Sequence, residues 1–307
     1  MLKDRSTKSM RFLMNIPLFF IALPGIVYLI CFSYLPMFGV MIAFKDYNYI
    51  DGILGSPWIG FENFKFFLES NDFAIVMRNT LLYNVAFLII KTFLNILIAL
   101  LLYELTNKTA LKIYQTSIII PSFISWVLVA YIGYALFATD AGIFNSIRAS
   151  FGMEPIAWYA TPGPWPFILT FFEMWKGVGM GCIIYYAALM AIDSSLFEAA
   201  SIDGAGRLKQ ILHISLPTIR PTICIMLILG VGSIVGGDFG LFFQMPRNSG
   251  ALYSVTDVLS TYLYRGLQNG DFSQTAAVGL AQNLVALILT LSTNAIVKKL
   301  DKNSSMF

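Results

Sequence analysis

Runs of uncharged, apolar residues long enough to cross a bilayer decide what this chain can become. The first continues from Ile16 to Phe44, and the pattern places six spans near residues 15–44, 78–103, 112–138, 165–192, 218–238 and 275–297. A helix needs about 20 such residues to cross the hydrocarbon core, where a helix satisfies all its backbone groups internally. Charged residues make up only 12% of the chain, against roughly 25% in a soluble domain, too few to cover a water-exposed surface of this size. The expected fold is therefore an all-α polytopic membrane protein with six transmembrane helices.

Lys3, Arg5, Lys8 and Arg11 precede the first run as they would in a signal peptide. A signal core is only about 7–15 residues long, so the run reads as a retained span. Pro24-Gly25 interrupts the first span and Pro121 the third, which neighbouring helices can tolerate. Cys31, Cys182 and Cys224 each lie inside an apolar run, with no disulfide or metal spacing. A net charge of +3 is too small to imply nucleic acid.

Orientation follows from where the basic residues fall. One side carries Lys3, Arg5, Lys8, Arg11, Lys108, Lys112, Arg207, Lys209, Arg220, Lys298, Lys299 and Lys302; the other has Lys45, Lys65, Arg78, Arg148, Arg247 and Arg265 despite its longer loops. The positive-inside rule makes the first side cytoplasmic, with both termini on it. The expected division is a cytoplasmic segment 1–14, a six-helix transmembrane domain 15–300 and a tail 301–307. The outer loop from Lys45 to Met77 alternates aromatics with turn signals. It reads either as a lid in the headgroup zone or as a docking surface for an external protein.

The cytoplasmic loop between the fourth and fifth spans, residues 193–217, reads as a helix–turn–helix. Ser195 and Glu198 have capping-box spacing, Asp203-Gly204 is a turn signal, and a second helix is expected from near Ala205 to just before Pro217. Arg207 and Lys209 sit at that helix's start, where the dipole does not call for them, so a partner or anionic lipid is implied. Patterning alone is equally compatible with an amphipathic helix resting on the inner leaflet.

The spacing Glu198-Ala199-Ala200, Gly204, Ile214, Leu216-Pro217, flanked by Asp203, resembles the EAA loop of ABC importer permeases. Tyr34–Gly39, Ala43–Asp46, Gly55–Trp58, Arg78–Thr80 and Pro121–Trp126 extend the likeness over nearly the whole chain to oligosaccharide permeases of the LplB type, relatives of the maltose-permease class common in Gram-positive bacteria. Ser122 departs from that pattern, where many relatives carry histidine. The resemblance implies a type I importer permease fold in the cell membrane and a coupling helix over 195–213. It also implies a homologous second permease, a pair of ATP-binding subunits using ATP-Mg, a lipid-anchored extracellular solute-binding protein and an oligosaccharide substrate. The chain has no phosphate loop of its own, so it is not itself an ATPase.

Polar residues inside spans are costly and mark candidate sugar contacts. Trp175, Lys176 and Met180 on the fourth span, Ser233, Asp238 and Gln244 on the fifth, and Trp126 and Tyr131 on the third form the expected path, with Ser122 and Ser125 beside them. Glu173 and Lys176 are equally readable as an ion pair one turn apart. Lys91 is either a counter-ion for Glu173 or a contact for an acidic sugar. Gly177-x-x-x-Gly181 and Gly232-x-x-x-Gly236 fit close helix packing, with the partner permease as one candidate neighbour. Gly236-Gly237 is expected to break the fifth helix near its outer end. His213, the only histidine, fits simple packing better than a pH switch. An ion-coupled secondary transporter using Glu173, Lys91 and Asp238 is the alternative, but it leaves the 198–217 pattern unexplained. A membrane enzyme lacks any assembled nucleophile, base or metal cluster in the sequence.

Overall fold

The computed structural model describes residues 19–300; the basic N-terminal cluster, the start of the first span and the tail from 301 lie outside them. Apart from one isolated bridge between Lys45 and Trp58, the regular structure among these residues is helical. In chain order the main helices are α1 (Phe19–Phe44), α2 (Glu62–Glu69), α3 (Asn71–Tyr103), α4 (Lys108–Phe123), α5 (Trp126–Phe137), α6 (Ile143–Ser150), α7 (Trp165–Met190), α8 (Ser194–Ile202), α9 (Arg207–Gly232), α10 (Leu259–Asn269) and α11 (Phe272–Leu300). Five of them are long and apolar enough to cross a membrane, and α4 with α5, bent by 95°, completes the six.

Three expectations need correction. The first span runs through Pro24-Gly25 as regular helix; its irregular stretch is Ile30–Phe44, a wide turn followed by a tight helix that opens on Leu35-Pro36. The third is sharply broken, because Pro121 cannot donate to the ladder and the Ser125 hydroxyl accepts from the Leu128 amide, starting a new helix. The fifth span starts far earlier than residue 218: α9 is continuous from Arg207 through Pro217 and Pro221 to Gly232. A widened turn over Ile211–Ser215 absorbs Pro217 by shifting the hydrogen-bond ladder ahead of the ring, so the second loop helix does not stop there. The helix ends at Gly232, and Ser233–Gly237 form a turn in which Gly237 takes φ +75°.

The described residues divide into two compact units: 19–68 with 270–280, and 69–269 with 281–300. In the first, Phe44 meets Trp58, Phe61 and Phe64 at 5.5–5.7 Å. Asn63 donates to Ala43 O and Lys45 O, and Lys45 Nζ donates to Ile53 O and Leu54 O. The aromatic loop after Phe44 thus has a small core and an ordered backbone of its own. In the second unit α3 packs along α7. One core joins Tyr83 and Phe87 to Trp165, Leu169, Phe172 and Phe242; another, nearer the loop helix, gathers Ala99, Tyr185, Leu189, Ile192 and Ile219.

Candidate functional site

The loop between α7 and α9 is built from local backbone chemistry. Asp193, not Ser195, starts α8: its carboxylate Oδ1 accepts from the Ser195 amide at 3.0 Å, and this bond holds its carboxyl below the usual aspartate range. A short acidic acceptor before the first helical residue fits the positive end of the helix better than a serine two residues further in. The expected Ser195–Glu198 capping box is therefore absent, and Glu198 is exposed and free of a capping role. The far end follows the expectation. Gly204 takes φ +76°, its amide donates to Ser201 O at 3.1 Å, and Ala205 N donates to Ala200 O at 2.8 Å. This two-bond closure stops the helix in a single conformation.

The loop is also fastened from outside. Arg207 forms an ion pair with Glu104 at the end of α3, Phe197 lies 5.9 Å from the Tyr103 ring, and Gln210 Nε2 donates to Ser201 Oγ and Ala205 O. The basic residue that sequence assigned to a lipid or foreign partner thus has an acid within this chain, 103 positions away. The motif residues split in two. Ile214 and Leu216 are half-buried against the Tyr185–Leu189–Ile219 core, while Glu198, Ala199, Asp203, Gly204 and Pro217 are exposed and Ala200 half-buried. Ile202 at the end of α8 and Leu208 at the start of α9 present apolar side chains that are 88% and 70% exposed.

The candidate path residues are not one cluster. Ser233 and Asp238 line a cleft of about 440 Å³ together with Asn84, Lys91, Glu173 and Gln282. Lys91 Nζ donates to Glu173 Oε1 at 2.7 Å, so the counter-ion reading holds. The Glu173–Lys176 pair does not form; Lys176 Nζ donates to Ser122 O at 3.2 Å and stands 5.1 Å from the Trp126 ring centroid, while Ser122 Oγ donates to Lys176 O at 2.8 Å. Trp126 Nε1 donates to Asp238 Oδ2 at 2.7 Å, and its ring lies so close to Gly240 that any side chain there would collide. Asp238 Oδ1 also accepts from the Leu241 amide. The break between α4 and α5 is thereby tied to α7 on one side and to the turn after α9 on the other.

Trp175 falls on another face of α7, in an apolar groove of about 400 Å³ with Leu94, Ile98, Pro121 and Phe171. Met180 is exposed. Tyr131 and Gln244 share a third cleft, of about 250 Å³, with Arg247, a residue that no sequence pattern singles out. The two glycine repeats pack within this chain: side chains at Gly177 and Gly181 would strike Lys91 and Asn95 of α3, and side chains at Gly232 and Gly236 would press on Thr290 and Gln282 of α11.

A family model described as binding-protein-dependent transport system inner membrane component matches residues 91–305. The protein LplB of Bacillus subtilis (strain 168) is 37% identical over 286 residues, covering 93% of this chain and 89% of that protein. The polygalacturonan/rhamnogalacturonan transport system permease protein YteP of the same organism is 37% identical over 283 residues, with coverage of 92% and 88%. A chain in the crystal structure of a bacterial ABC transporter involved in the import of the acidic polysaccharide alginate superposes with a TM-score of 0.87 at 31% identity, covering 97% of this chain and 99% of its own.

Proposed function

The chain belongs to the binding-protein-dependent transport system inner membrane components, and from that membership we propose that it is the permease subunit of an ATP-driven importer carrying an oligosaccharide into the cytoplasm. The observation that carries the coupling role is the 193–217 loop: a nine-residue helix closed at both ends, braced on α3 by an ion pair, and presenting uncovered apolar side chains at its tip. A rigid protrusion transmits a partner's displacement, whereas a mobile loop would absorb it. Ile202 and Leu208 are the side chains offered to the partner, and Ile214 and Leu216 root the loop in the core that moves with it.

The remaining parts belong to the same reading. A pair of separate ATP-binding subunits hydrolyses ATP-Mg, a homologous second permease completes the channel, and an extracellular, lipid-anchored binding protein delivers the sugar. The basic sides of the spans face the cytoplasm and the chain resides in a cell membrane, that of a Gram-positive bacterium. Acidic oligosaccharides are favoured over neutral ones by the polygalacturonan/rhamnogalacturonan and alginate importers among the similar proteins. The test is energetic. Uptake by the reconstituted complex should stop when ATP is withheld and persist with an ionophore present; the opposite pattern would establish an ion-coupled carrier instead.

A further inference from the structure

We propose that Arg247 is a specificity-determining residue that reads the carboxylate of an acidic sugar unit at the outer end of α5. The inference rests on the oligosaccharide-importer reading and goes beyond it by naming the group that distinguishes acidic from neutral substrate.

Among the described residues, Arg247 and Asn248 are the only non-glycine residues with positive φ, at 54° and 50°. Long side chains avoid this left-handed region unless the surroundings impose it. Here several bonds do: Arg247 N donates to Gln244 O, Asn248 N to Phe243 O, Ser249 Oγ to Tyr159 O and Tyr253 OH to Asn248 Oδ1. The outcome is a fixed guanidinium, its carbon 4.2 Å from the Tyr134 ring centroid. Stacking covers one face of the group and leaves its N–H edge available, the geometry that suits bidentate capture of a carboxylate.

The charge at this position is uncommitted. Arg78 donates to Asn79 Oδ1 and Ser254 O, Arg148 to Glu154 O, and Arg265 pairs with Asp257. Lys91, which sequence alone offered for an acidic sugar, is engaged by Glu173, and the path candidate Lys176 by Ser122 O. Arg247 has neither an ion pair nor a side-chain hydrogen bond among the described residues; its neighbours are the Tyr134 ring and the nearby Tyr159, neither of which carries a negative charge at neutral pH. Its cleft supplies what else a sugar requires: the Tyr131 and Phe243 rings, and the Gln244 and Asn248 amides. At about 250 Å³ the cleft is smaller than the roughly 300–1,000 Å³ of drug-sized pockets, which suits one ring of a longer chain. The neighbouring cleft beyond Arg247 includes Asp140, whose carboxylate would repel the same ligand, so the Tyr131 side is the one assigned.

The test uses the full transporter with its binding protein and two probes, trigalacturonate and its methyl ester. Arg247→Gln should lower uptake of the acid relative to the ester about tenfold, the loss expected for one charge-assisted hydrogen-bonding group at an exposed site. Arg247→Lys, which keeps the charge and loses the fork, should fall between the two. Arg247→Gly relieves the left-handed backbone, so an equal loss there assigns the effect to the guanidinium rather than to a distorted turn. An unchanged acid-to-ester ratio in both the glutamine and glycine variants would overturn the inference. So would an unaltered transporter that prefers the ester, although the importer function would then stand. ATP-dependent import of neither probe would overturn this inference, while the oligosaccharide reading would still stand on ATP-dependent import of a neutral sugar.

Discussion

Replacing Gly204 by alanine separates the geometry of the coupling turn from its contacts. A Cβ built at this position meets nothing within 4 Å, so no clash contributes. The cost is that of placing an L-residue at φ +76°, roughly 1–2 kcal/mol. A penalty of this size lowers the ratio of correctly closed to misclosed loops by a factor of about 5–30. Both closing bonds, from Gly204 N and Ala205 N, depend on that conformation, so α8 would fray at the end that carries Ile202. The quantity to measure is the number of ATP molecules hydrolysed per solute imported by the reconstituted complex. Alanine should raise it severalfold while leaving membrane insertion intact. Asparagine, which tolerates the left-handed region better, should raise it less. Stoichiometry in the alanine variant equal to that of the unaltered protein would refute the argument that rigidity at this turn is what transmits motion.

Three further expectations come from named contacts. Reversing Arg207 to Glu should weaken coupling by repelling Glu104, and the double exchange with Glu104→Arg should restore it; because the pair is largely exposed its direct stability effect is only about 0.2–1 kcal/mol, so failure of the double exchange to rescue would dismiss the brace. Lys91→Ala leaves Glu173 nearly buried without its counter-ion and should cost on the order of 2–3 kcal/mol, the low side for such pairs because Lys91 is about one-third exposed; thermal unfolding should recover in Lys91→Met with Glu173→Leu, and no recovery would contradict the pairing. The Asp193 cap has a folded-state pKa below its unfolded value near 3.9, so its contribution is complete above that pH and is lost as pH falls through the lower folded value. Amide exchange at the start of α8 should therefore accelerate below about pH 4 in the native chain and not in Asp193→Asn, and identical profiles would rule out the carboxylate as cap.

The bilayer makes some of this fold legible. Apolar runs locate α3, α7 and α11 because nothing else satisfies the backbone in hydrocarbon, and Asp203-Gly204 locates the turn because only glycine enters it cheaply. Proline misleads in both directions. Pro217 reads as a helix end and lies inside one, because a single widened turn at Ile211–Ser215 accommodates it without leaving a signature in residue order. Pro121 reads as a tolerated kink and helps make a 95° break, because Ser125 caps α5 and so starts a helix in a new direction. Among site residues, the cost of an isolated charge was enough to pair Lys91 with Glu173 across 82 positions. It was not enough to send Lys176 to Ser122 O rather than to the nearer Glu173, since a backbone carbonyl freed by a broken helix has no one-letter code. Arg247 was invisible for a similar reason: its distinction lies in φ and in having no acidic partner among the described residues.

The Trp126–Asp238 bond has a consequence for how many arrangements the helix breaks can take. It joins the two points at which long spans are discontinuous, the bend before α5 and the turn after α9. Two independent breaks would give four combinations, two of which set one break and release the other. Joined breaks have only two: both set or both released. The bond thus removes the two mixed states, so that the bend and the turn change together rather than one at a time.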